Sequence, residues 1–71
     1  LDLDPNISDA GKKQAEKAGK ALAKLLPKDF KIKYLFASKL KRTRQTLKII
    51  LQQLNSNSYP KQYLYYLVHM N

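Results

Sequence analysis

Lys31-Ile32-Lys33-Tyr34-Leu35-Phe36-Ala37-Ser38-Lys39-Leu40-Lys41-Arg42-Thr43-Arg44-Gln45-Thr46 is the stretch on which the fold of this 71-residue chain turns. Its first seven residues are mostly apolar and rich in aromatic and β-branched side chains, and they read as a buried strand. From Leu40 onward, Leu47, Ile50, Leu51 and Leu54 recur at helical spacing with Thr43 on the same face. Ser38 is placed to cap that helix, its hydroxyl accepting from an N–H of the first turn. Such a helix start favours an anion, because unpaired N–H groups and the positive end of the dipole converge there. Arg42, one turn in, adds a planar fork of donors that suits a phosphate. Ser38 to Thr46 therefore predicts a phosphate-facing junction between strand and helix.

Upstream, residues 1–7 read as a loop, with Pro5 and Asn6 as turn-formers. Ser8 reads as the N-cap of a first helix, with Asp9 near its positive end. Ala15, Ala18, Leu22, Leu25 and Leu26 keep an apolar stripe at steps of three and four, and lysines fill the opposite face. Gly11 and Gly19 each cost ~1 kcal/mol against alanine inside a helix, so they mark close approach to a neighbouring element or simple tolerance. Pro27 stops the helix, and Lys28-Asp29-Phe30 leads into the strand. Downstream, Asn55-Ser56-Asn57-Ser58 is a polar turn closed by Tyr59-Pro60. Gln62-Tyr63-Leu64-Tyr65-Tyr66-Leu67-Val68 has strand composition. The order helix-strand-helix-strand predicts an α/β layer. So few strands cannot hide their own edges, which predicts further sheet from residues outside the chain or from another chain.

Composition narrows the partners. Fourteen basic residues against five acidic ones give a net charge of +9, which raises nucleic acid or an acidic membrane surface. Twelve of the fourteen are lysines, and Lys12, Lys13, Lys17, Lys20, Lys24 and Lys28 run through the first helical segment as a solvated face. With two arginines, and with aromatics crowded at the C-terminal end, nucleic acid is not the expected partner. There is no cysteine to form a disulfide or a thiolate metal site. No apolar run reaches the length of a membrane span, and no targeting segment is visible, so the expected location is the cytoplasm. Leucine rather than methionine at position 1 suggests a trimmed or incomplete start.

Ser38-x-Leu40-x-Arg42-Thr43-x-x-Thr46 resembles a motif of the histidine phosphatase superfamily, the phosphoglycerate mutase-like proteins. Asp4-Pro5-Asn6-Ile7-Ser8-Asp9-Ala10-Gly11-Lys12-Lys13-Gln14-Ala15 resembles that family's Asp-x-x-Leu-[Ser/Thr]-x-x-Gly-x-x-Gln-Ala segment, in the right order and at about the right distance. Together the two cover roughly residues 2–54, and Lys41-Arg42-Thr43-x-Gln45-Thr46 is most similar to the fructose-2,6-bisphosphatase branch. The resemblance implies a segment of a three-layer α/β/α domain with a mostly parallel sheet, whose first strand and C-terminal part lie outside residues 1–71. It implies phosphoryl transfer through a phosphohistidine on a small phosphorylated metabolite, with sugar phosphates first and no metal or other cofactor. Arg42 matches the arginine that binds the transferred phosphate.

That chemistry needs a nucleophilic imidazole, cations around the phosphoryl oxygens and an acid for the leaving oxygen. The family's Arg-His-Gly motif does not occur in these residues, and the single histidine, His69, lacks its flanking residues and reads as an ordinary histidine at a strand end. Residues 66–71 approach the family's Leu-Asn-Glu segment and stop short of its glutamate. Glu16, the one glutamate, is expected to pair with Lys12 or Lys20. Alone, the chain is not expected to catalyse the reaction. Lys41 and Arg44 read as surface charge, and Thr43 and Thr46 as packing residues. The alternative is a non-catalytic phosphoglycerate mutase-like subunit or interaction module in a larger assembly.

Overall fold

The computed structural model describes residues 4–36 and 39–69. Three helices carry the fold: α1 (Asp9–Leu25), α2 (Lys41–Gln53) and α3 (Gln62–His69), with a single 3-10 turn (Ser56–Ser58) between the last two. Helix α1 starts where capping chemistry places it. Ser8 Oγ accepts from the Gly11 N–H at 3.0 Å, and Asp9 sits in the first turn. It stops ahead of Pro27, with the Leu26 N–H donating to Leu22 O at 3.0 Å. Helix α2 runs to Gln53, with Leu54 as its C-cap. The polar stretch after it folds back through Asn55, whose Oδ1 accepts from the Asn57 N–H at 3.0 Å.

The expected α/β fragment of a three-layer fold with a mostly parallel sheet does not form, for there is no strand among the described residues. Two local causes account for the difference. Residues 62–69 have the composition of a strand but the spacing of a helix: Tyr63, Leu64 and Leu67 stand at steps of three and four, and all three reach the core. Coiling there leaves the apolar run at 31–36 without a partner for a ladder, and a lone strand cannot satisfy its backbone. That run instead crosses the molecule without regular structure. The Ile32 N–H donates to Ser58 O at 2.7 Å, and the Tyr63 hydroxyl donates to Lys33 O at 2.8 Å. Ile32 and Leu35 still pack on the core while Tyr34 and Phe36 stay exposed, so the expected burial of the segment holds only in part and the strand does not form.

Leu51, Leu54 and Leu67 form the buried cluster, with Leu26, Leu47, Tyr59 and the residues just named around it. Helices α1 and α2 meet where α1 has no side chain. A Cβ on Gly19 would lie 2.8 Å from Gln53 Cγ and 3.1 Å from Ile50 Cα, so close approach is what this glycine serves. The molecule measures 44 × 24 × 14 Å, little thicker than one helix. A single layer covers each helix on one side only. Leu25, Tyr34 and Phe36 accordingly remain 80%, 77% and 87% exposed, so the apolar stripe of α1 is buried in part only.

Candidate phosphate site between the N-terminal loop and α2

Residues 4–7 are laid against the start of α2 by polar contacts rather than by packing. The first helical residue is Lys41, and its neighbour Leu40 has no side chain able to cap. The missing acceptor comes from Asp4, whose Oδ1 takes the Lys41 N–H at 2.8 Å. One turn further on, the Gln45 side chain bonds both Asn6 and Ile7. Ser38, expected as the cap, lies outside the described residues. The expectation of a helix start open to a ligand anion is corrected in part: the Lys41 amide already holds an anion, the chain's own Asp4.

Between this loop, α1 and the first half of α2 runs an open groove of about 630 Å³. Ile7 and Ser8 line it from the loop, Gln14 from α1, and Arg42, Thr43 and Thr46 from α2. Among the described residues that line it, Arg42 carries the only charge, and no carboxylate joins it. Arg42 is exposed along the groove and makes no ion pair among the described residues. Its guanidinium therefore keeps its donors available for an oxyanion. Thr46 spends its hydroxyl on the helix, donating to Arg42 O at 2.8 Å, and Thr43 is half-buried beside it. Ser8 Oγ, occupied as an acceptor by Gly11, retains a hydroxyl hydrogen to donate.

The remaining candidates lie elsewhere. His69 ends α3 rather than a strand, exposed, with its ring tilted 36° against that of Tyr65 at a centroid distance of 4.2 Å, and it is not among the residues that line the groove. Glu16 pairs with neither Lys12 nor Lys20; Lys12 reaches Asp9 instead, at 4.0 Å. Lys41 is exposed as expected, whereas Arg44 is half-buried rather than plain surface charge. Asp4 and Gln45 had no role assigned from sequence. The available signal was the helix start itself, since a first turn without a capping residue must take its acceptor from elsewhere.

The arrangement is thus a helical scaffold presenting the Arg42 guanidinium, without an ion pair among the described residues, in a groove whose described lining carries no carboxylate. The family model of the histidine phosphatase superfamily (branch 1) matches residues 2–64, nearly the whole chain. This protein belongs to the histidine phosphatase superfamily. No curated protein and no solved structure matches the chain at a significant level. Among the described residues, no helix is long and apolar enough to cross a membrane.

Proposed function

We propose that the chain supplies the phosphate-recognising segment of a phosphohistidine-dependent phosphatase or phosphomutase acting on small phosphorylated metabolites, with Arg42 contacting the phosphoryl group. The observation that carries this is the placement of Arg42 in the first turn of α2 as the one charge among the described residues lining the groove, with no ion pair among them. Family membership supports the reaction class. In that reaction the bond from phosphorus to the ester oxygen breaks as a bond from phosphorus to a histidine nitrogen forms. The leaving oxygen takes a proton from an acid, and water, or an acceptor hydroxyl, then receives the phosphoryl group. Arg42 would neutralise charge on the non-bridging oxygens in both steps. Neither the nucleophile nor the acid is among these residues. Sugar phosphates are the first substrates to try, and fructose 2,6-bisphosphate is the first of those.

The test is made in a protein that joins this chain to the family's Arg-His-Gly motif. Arg42→Ala should lower kcat/KM for a sugar phosphate roughly tenfold to a hundredfold, and Arg42→Lys should restore part of it. Unchanged kinetics would remove Arg42 from the site. The second reading, a non-catalytic interaction module, is favoured by the exposure of Leu25, Tyr34 and Phe36. It predicts partner binding that Phe36→Ser abolishes, and no acid-labile phosphohistidine after incubation with labelled substrate.

A further inference from the structure

The loop that forms one wall of the groove is held by a clip centred on Gln45. Gln45 Oε1 accepts from the Ile7 N–H at 2.7 Å, and its Nε2 donates to Asn6 Oδ1 at 3.1 Å. A backbone N–H can only donate, so Ile7 fixes which end of the amide carries the oxygen. The Asp4–Lys41 bond at 2.8 Å fastens the same loop one turn earlier. All of these join residues at least 37 positions apart, so they are tertiary ties and not local helix bonds. Pro5 and Asn6 are exposed, which leaves hydrogen bonds rather than burial to decide where that end of the loop lies. Ile7 is gripped from the other side as well, since a Cβ on Gly11 would stand 2.9 Å from Ile7 Cγ1.

Gln45 follows Arg42 by three residues on α2, the spacing at which helical side chains are neighbours. Asn6, Ile7 and Arg42 all line the groove. We propose that Gln45 is a positioning residue whose amide sets the separation of the Asn6–Ile7 wall from α2, and with it the space in which Arg42 meets a phosphate. The phosphate part rests on the function proposed above. Glutamine is the residue the geometry asks for, because one backbone donor and one side-chain acceptor must be met by one planar group. Glutamate would keep the bond to Ile7 and lose the donor to Asn6, and leucine would lose both.

Amide hydrogen exchange by NMR on the 71-residue chain, with inorganic phosphate as the probe, decides the matter. In Gln45→Leu, protection of the Ile7 amide should fall roughly fivefold, the equivalent of one net hydrogen bond. Leu51 in the core should keep its protection. In Gln45→Glu, Ile7 should stay protected. The dissociation constant for phosphate should rise several-fold in Gln45→Leu. Unaltered Ile7 exchange in Gln45→Leu overturns the clip. Lost Ile7 protection with unaltered phosphate affinity overturns the positioning role. If the wild-type chain fails to bind phosphate, the Arg42 reading falls and the positioning role with it, while the Ile7 exchange rates still decide whether the clip exists.

Discussion

Replacing Gly19 with alanine sets two effects of known sign against each other. Inside a helix, alanine is favoured over glycine by about 1 kcal/mol, so Gly19→Ala at an open site would stabilise α1. Gly19 is not an open site. The added methyl would lie 2.8 and 2.9 Å from Gln53 Cγ and Cβ, and 3.1 Å from Ile50 Cα. Carbon atoms prefer roughly 3.5–4.0 Å, so α1 must retreat from α2 by about half an ångström or more. Gln53 Cγ can swing aside, but its Cβ and the Ile50 backbone cannot. Overpacking of this kind costs about 1–3 kcal/mol and exceeds the propensity gain. The expected net loss is about 1 kcal/mol, or a fall in Tm of roughly 4–8 °C for a chain of this size. Thermal and urea unfolding followed by circular dichroism would measure it. In a Gln53→Ala background part of the loss should return, because one of the three contacts is gone. Stabilisation by Gly19→Ala would refute the close approach of the two helices.

Further outcomes follow from single contacts. Ser8→Ala should cost about 1 kcal/mol through loss of the cap to Gly11, read as a lower urea midpoint with the slope unchanged. Leu67→Ala, at a site 3% exposed, should cost about 2–5 kcal/mol, which is comparable to the whole stability of so small a unit; the helical signal at 25 °C should largely vanish. Tyr63→Phe removes the hydroxyl held by Lys33 O and should cost about 0.5–1.5 kcal/mol, with faster exchange confined to residues 31–36. Added salt should raise Tm, because it screens the mutual repulsion of a chain carrying +9.

Capping was legible in the sequence for α1, and helical periodicity for α1 and α2. Ser8, Pro27 and the spacing of Leu47, Ile50, Leu51 and Leu54 act locally, and local chemistry survives whatever else the chain does. After Pro60 composition and spacing point to different structures, and the chain follows the spacing. Three tyrosines and a valine favour a strand, yet Tyr63, Leu64 and Leu67 keep a helical interval. The segment at 31–36 then failed as a strand for a reason that no residue within it reveals, since a strand exists only where another lies beside it. Of the groove, the sequence singled out Arg42 as a phosphate contact and gave Thr43 only a packing role, although both line it. The loop that closes it was not, because Asp4 and Gln45 reach partners far away in sequence, and such pairs leave no periodic trace.

Titration of the chain with inorganic phosphate, followed through backbone amide shifts, bears most directly on Arg42 as the group that holds an oxyanion. In the native sequence the shifts should gather at Ile7, Ser8, Arg42 and Thr43, and Arg42→Ala should weaken the binding roughly tenfold to a hundredfold, the worth of one charge-assisted hydrogen bond. Equal affinity in the two chains, or shifts spread along the lysines of α1 instead, would contradict it.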